Sequence, residues 1–411
     1  MSAPVVVIGF SGVSLPLGEM PFLKEWSATG FRAGLTFPPA ISSVAAWTSL
    51  ITGRGPAHHG IFDLYRRHSP GGQQLRVLAS RDIECETIWA ALDRQGLKAT
   101  VLNYPMTFPA PKINGNVMPG SWVSPKRLKL GCYPGTLYQE LGALEGVNLS
   151  EPNAEQLLRM LVYLLKKEPS DLSVVLIRDK NIDFAALDAQ LKNVIEAAGP
   201  NATVLLISEP AVAEGLCLND WLASRGYLAW SGPVDGKVLE TADLNRQAAS
   251  IDFTRTKAWS PPAGGNGVYL IEPDAHLAEE LSSASGVSRV WKQQQLYAGP
   301  YQELAPDLVV EMSNSGVGTI LGNGPAIKRG VTVPGLPLSS IAPFLFYTLG
   351  QQVPGDFEGS VPAEVLDPAW IENHPLQSGA AASDREADKP LIAPEDEEEI
   401  LRRLRGLGYL E

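Results

Sequence analysis

Histidine is scarce in this chain: five residues among 411, at positions 58, 59, 68, 276 and 374. Cysteine is scarcer still. Cys85, Cys132 and Cys217 stand far apart, with no CxxC pair and no histidine at zinc spacing. An odd, scattered set argues against a disulfide framework and reads as small core residues in a reducing compartment. No run approaches the roughly 18 apolar residues of a spanning helix, so the sequence predicts no membrane insertion. The opening Met-Ser-Ala-Pro lacks a basic region and leads into Val5-Val6-Val7-Ile8-Gly9, which reads as a buried first strand rather than a signal peptide. The expected location is cytoplasmic. Cations are also short, 33 Lys and Arg against 45 Asp and Glu, for a net charge of −12. With nothing broad to neutralise phosphates, nucleic acid and anionic membranes are poor default partners.

What is present is apolar and ordered. Hydrophobic residues make up 45% of the chain, enough for one large core or several smaller ones. Continuous apolar runs at Val5–Gly9, Ala99–Leu102, Leu172–Ile177 and Thr203–Ile207 fit strands buried on both faces of a mainly parallel sheet. Between them, helical patterns cover Phe22–Thr29, Ser43–Ile51, Thr87–Gln95, Glu155–Lys167, Phe184–Ala198 and Leu218–Arg225. Strand and helix in alternation predict an α/β fold with a doubly wound, mainly parallel sheet. Ligands of such folds gather where strands end.

The predicted body spans 1–375, interrupted at about 104–150, which is rich in Pro and Gly, and at about 230–305, which mixes short strands with a helix. Residues 376–393 are small, polar and charged and read as a flexible linker. In 394–411, acids follow Pro394, Ile400, Leu404 and Leu407 share a face, and Gly408 stands near the end. This describes a short docking helix, folded back on its own body or offered to a partner.

After the first strand stands Gly9-Phe10-Ser11-Gly12, and further on Ser42-Ser43-Val44-Ala45-Ala46-Trp47, then Thr52-Gly53, Pro56 and His59-Gly60. Later come Leu218-Asn219-Asp220-Trp221-Leu222, Ala305-Pro306-Asp307 and Gly322-Asn323-Gly324-Pro325. In this order, these segments resemble the alkaline phosphatase superfamily, in its type I phosphodiesterase/nucleotide pyrophosphatase-like branch. The resemblance implies that superfamily's sheet, with inserted cap segments, and puts Ser43 at the nucleophile position.

It also implies six metal-ligand positions, most of them changed here. The acid expected after the first strand is Ser11. The D-x-x-x-H pair aligns with Asp179 and Asp183, and the S-D-H-G motif with Ser208, Glu209 and Pro210. Pro210 has no ligand atom in its side chain, and 313–321 contains no histidine. Two divalent ions need carboxylates and imidazoles to balance them, so Ser11 and Pro210 read as vestigial positions and no cofactor is expected. The alternative is a rebuilt site in which Asp179, Asp183 and Glu209 hold a hard cation such as Mg²⁺ or Ca²⁺. Against it, Asp183 is equally placed to cap the next helix, and Ser43 to cap its own.

Two functions fit these residues. One is a pseudoenzyme acting by binding, as a scaffold, regulator or assembly subunit, with a protein partner and room for a phosphorylated small ligand at the helix opening at Ser43. The other is a metal-dependent phosphodiesterase or phosphatase with that carboxylate-rich site.

Overall fold

The computed structural model describes residues 3–67, 75–120, 125–179, 181–209, 216–232, 247–262, 265–313 and 316–381. Pro210, most of the predicted linker and the whole predicted C-terminal helix lie outside them.

An eight-stranded sheet runs through the body in the order Val331–Pro337, Phe31–Thr36, Gly318–Asn323, Thr203–Ser208, Val5–Phe10, Leu172–Ile177, Ala99–Tyr104, Gly115–Pro119. Every neighbouring pair is parallel except the two made by Gly318–Asn323. All four strands predicted from apolar runs are present, and all six residues of each are buried. Their patterns are continuous because both faces are covered. Val5 and Val7 enter a core with helices Ser43–Thr52, Ile88–Arg94 and Ile341–Thr348. Val6, Ile8 and Phe10 enter another with Pro21–Ala28, Ala154–Lys167 and Phe184–Ala198. Helices therefore cover both faces of the sheet. Cys85 and Cys132 are buried, whereas Cys217 is exposed and is no core residue.

The two irregular segments have different fates. Residues 104–150 are more than a cap, because Gly115–Pro119 joins the sheet as an edge strand beside Ala99–Tyr104. The second segment, together with Leu308–Met312 just beyond its predicted end, builds a separate antiparallel sheet, in the order Val287–Lys292, Leu308–Met312, Gly267–Leu270, Ala258–Trp259. It has a separate core that includes Leu222, Trp259, Val268, Leu277, Leu281 and Val310. Among the described residues, no helix is long and apolar enough to cross a membrane.

Candidate functional site

Three adjacent parallel strands end together. Phe10 lies beside Ile177 on one side and Ser208 on the other. Ser11, Arg178 with Asp179, and Glu209 therefore leave the sheet as neighbours, with the turn after Ser11 carried by Gly12 at φ 70°. The backbone ties this edge together. Ser11 N–H donates to Ile177 O at 2.9 Å, Glu209 N–H to Phe10 O at 2.8 Å, and Val13 N–H to Glu209 O at 3.2 Å.

The helix Ser43–Thr52 points its N-terminus at this edge. It begins there because Ser42 is extended (φ −68°, ψ 150°) and its Oγ accepts from Ala45 N–H at 3.2 Å. The cap is thus Ser42, not Ser43 as the sequence suggested. The Ser42 hydroxyl donates to Phe62 O at 2.6 Å. Freed from capping, the Ser43 hydroxyl turns into the strand edge.

There it meets Glu209, whose single oxygen Oε2 accepts three side-chain donors. Ser43 Oγ donates at 2.7 Å, Ser11 Oγ at 2.9 Å and Trp47 Nε1 at 2.9 Å. The two hydroxyl oxygens are 2.9 Å apart. Glu209 and Ser11 are each 7% exposed and Trp47 2%, so this cluster is shielded from water. Hydrogen bonds to a charged group are stronger than neutral ones, and an unpaired buried donor costs about 1–3 kcal/mol. One carboxylate here satisfies three donors.

The surroundings hold it in place. Gly9 leaves room for the indole, since a Cβ there would lie 2.7 Å from both the Trp47 ring and Leu176. Tyr104 donates its hydroxyl to Trp47 O at 2.8 Å and meets that ring edge-on at 6.0 Å. Burial, and secondarily the Glu209 charge, push the Tyr104 hydroxyl well above its ordinary pKa. Arg178 lies within electrostatic reach: desolvation lowers its guanidinium pKa and Glu209 pulls it back up.

The other two predicted carboxylates are turned to backbone amides. Asp183 Oδ1 accepts from Ala185 and Ala186 N–H, both at 3.0 Å, and caps the helix Phe184–Ala198. Asp179 accepts from Asn181 N–H at 2.8 Å and Ala154 N–H at 3.2 Å. Among the described residues, no three His, Cys, Asp or Glu side chains are arranged to hold a metal ion. Neither a two-metal set nor the Asp179, Asp183 and Glu209 trio is assembled by the described residues. His59 also serves the frame. Its Nδ1 accepts from Ile61 N–H at 3.1 Å and its Nε2 meets Ser49 Oγ at 2.9 Å. Burial, then the neighbouring His58, lower its pKa to about 3.

Sequence reasoning named Ser11, Ser43 and Glu209 but missed the donor Trp47 and the cation Arg178. Arg178 was detectable as the residue directly after a buried strand. The indole of Trp47 sits one turn along from Ser43, a spacing that puts both on one face.

Residues 5–179 match the family described as type I phosphodiesterase / nucleotide pyrophosphatase. No curated protein matches the chain by sequence. Among solved structures, the chain is similar to phosphonoacetate hydrolase from Sinorhizobium meliloti 1021 in complex with phosphonoacetate. The TM-score is 0.56 at 14% identity, over 85% of this chain and 95% of that one. Murine ectonucleotide pyrophosphatase/phosphodiesterase 5, in an inactive form in complex with AMP, gives 0.56 at 11% identity, over 89% and 100%. The human counterpart gives 0.53 at 12% identity, over 89% and 100%.

Proposed function

We propose, for a chain whose residues 5–179 match the type I phosphodiesterase / nucleotide pyrophosphatase family and whose fold is similar to that of phosphonoacetate hydrolase and ectonucleotide pyrophosphatase/phosphodiesterase 5, that it acts by binding and not by hydrolysis. On this reading it is a pseudoenzyme, a cytoplasmic scaffold or regulatory subunit that recognises a protein partner by surface and shape. One observation carries the reading: Glu209 Oε2 accepts from Ser11, Ser43 and Trp47 together.

The site's donors and acceptor satisfy one another. A family site leaves carboxylates and imidazoles open to two cations, which clamp the attacking and leaving oxygens in phosphoryl transfer. Here the Ser43 proton is committed to a carboxylate, and Ser11 offers a hydroxyl in place of an acid. A phosphoryl group would meet the Glu209 charge at the helix opening, which also weighs against the phosphorylated small ligand for which the sequence left room. Arg178 offsets only part of that charge.

A second reading rests on the 2.7 Å contact itself. A hydroxyl donating to a fixed carboxylate is the geometry of a nucleophile and its base. Purified protein should show no bound pair of transition metals and no hydrolysis of an aryl phosphate diester above background. Hydrolysis lost both in Ser43→Ala and on EDTA treatment would overturn the binding-only reading in favour of a metal-dependent enzyme. Hydrolysis lost in Ser43→Ala and Glu209→Gln but indifferent to EDTA would favour the pair acting alone.

A further inference from the structure

The second sheet and the segments around it meet the body along a seam beside the helix Ser43–Thr52. Ala57 O accepts Tyr301 N–H at 2.9 Å, and Gly299 comes so near that a Cβ there would lie 2.7 Å from the same oxygen. Phe62 meets Tyr297 edge-on at 5.0 Å, and Ala57, Phe62 and Ala305 form a small apolar cluster of their own. The Tyr301 hydroxyl donates to Glu84 Oε2 at 3.4 Å.

The seam reaches the Ser43 corner through Ser42. This residue caps the helix and donates its hydroxyl to Phe62 O at 2.6 Å. Ala40 and Ser42 on the body side, with Tyr269 and Tyr297 across from them, line a crevice of about 10 Å³. That is room for no more than one water.

Asp63 lines the same crevice. It is 5% exposed and has no ion-pair partner among the described residues. Its Oδ1 accepts Leu64 N–H at 2.7 Å, and a Cβ on Gly265 would lie 2.2 Å from its Oδ2. The groups around it do not balance a charge. Tyr65 is pushed up to about 12 by burial and then by Asp63. Tyr269, across the seam, is raised by burial and then by Asp63, with Tyr297 and Asp307 acting in the same direction. Arg66, which acts on Tyr269 in the opposite sense, bonds to Asp82 at 3.4 Å, and Arg67 lies over the Phe253 ring at 5.4 Å. Asp307 accepts Leu270 N–H at 2.7 Å. His59 points into the body, toward Ser49 and the Ile61 amide. An ionised carboxylate walled off from water and unpaired is costly, so ionisation of Asp63 and a closed seam oppose each other.

We propose that Asp63 is the latch of a pH-gated seam: holding its proton, it keeps the second sheet closed beside the Ser42 cap, and on releasing that proton to water it loosens the seam and wets the helix opening. Burial raises Asp63 from 3.8 to about 7 in the closed form, and loosening returns it toward the ordinary value. The closed form is therefore fully favoured below about pH 4, loses ground about tenfold per unit up to about 7, and changes no further above that. His59 stays buried in this local motion, so its own titration does not offset the slope.

Hydrogen exchange on the full-length chain between about pH 5 and 6.5, corrected for intrinsic rates, tests this. Protection of the Tyr301 amide, and of the Ala45 amide that Ser42 accepts, should fall about tenfold per unit while 172–177 stays unchanged. Asp63→Asn keeps the Oδ1 acceptor and cannot ionise, so its seam should stay closed across the range. Gly265→Ala, which drives a methyl against Oδ2, should expose Tyr301 at every pH, and adding Asp63→Ala should restore its protection. Protection of Tyr301 that ignores pH, or a slope that Asp63→Asn retains, would overturn the proposal. So would Gly265→Ala leaving Tyr301 protected, or a slope shared by 172–177, since the whole fold and not the seam would then be opening.

Discussion

Removing Ser43 and removing Glu209 should have unequal costs, because one is a donor among three and the other their shared acceptor. Ser43→Ala leaves Oε2 with two donors and should lower stability by about 1 kcal/mol or less. Glu209→Ala strands the Trp47 N–H, 2% exposed, without an acceptor and opens a void. That should cost about 3 kcal/mol. Urea midpoints of the two variants decide the matter, and equal losses would mean that the cluster is not organised around the carboxylate. Glu209→Gln retains an acceptor oxygen in the same place and should fall between them.

At the scale of elements, the carboxylate that closes a helix and the carboxylate that holds an ion make different demands. Asp183→Ala should cost about 1 kcal/mol through loss of the cap on Phe184–Ala198, with Asp183→Asn restoring most of it. Thermal stability of all three forms should also be indifferent to millimolar Mg²⁺ or Ca²⁺. A cation-dependent melting temperature in the parent chain that Asp183→Asn abolishes would reinstate the hard-cation role.

The elements also mark where sequence was readable. The four apolar strands were legible because central parallel strands are buried on both faces and need no alternation. Phe31–Thr36 and Gly318–Asn323 were not, since their glycines break the apolar run. Val331–Pro337 carries two prolines and a register shift, features of an edge strand that escape a hydrophobic pattern. At the site, Ser11, Ser43 and Glu209 were findable as residues at strand and helix ends. That one oxygen would gather all three donors was not, because it depends on a glutamate reaching farther than an aspartate could. The Ser42 cap was hidden by the doublet Ser42-Ser43, in which either hydroxyl fits the pattern.

Across the whole molecule, two buried titratable groups near each other in sequence give opposite pH dependences. Asp63 packs between the body and the second sheet, so close to Gly265 that a Cβ there would lie 2.2 Å from its Oδ2. Burial raises its pKa from 3.8 to about 7, with backbone amides of Leu64 and Tyr65 pulling the other way. The folded chain thus keeps a proton that the unfolded chain releases, and stability falls as pH rises from about 4 to 7. His59 is lowered from 6.5 to about 3, so its stability is full above 6.5 and is lost as pH falls below it. Between pH 4 and 6.5 the two slopes oppose each other and this pair contributes little net dependence. Asp63→Asn removes one of them. The variant should gain stability with pH in that window relative to the parent, by about 1.4 kcal/mol per unit. Parallel denaturation profiles for variant and parent would show that Asp63 does not titrate as its burial requires.

The strand Gly318–Asn323 runs against its neighbours and sits inside the sheet, between Phe31–Thr36 and Thr203–Ser208. Its consequence lies in the order in which a ribosome releases the chain. Phe31–Thr36 is made early, yet both its partners, Gly318–Asn323 and Val331–Pro337, are made late. Until residue 323 has emerged that strand has neither edge satisfied, and until 337 it lacks one; unpaired strand edges are templates for association between chains. A fragment ending at 179, although it spans the family match, should therefore be recovered as aggregate, and one ending at 381 as soluble protein. Pulse-labelled nascent chains should stay protease-sensitive at Phe31–Thr36 until Gly318–Asn323 and Val331–Pro337 have been synthesised.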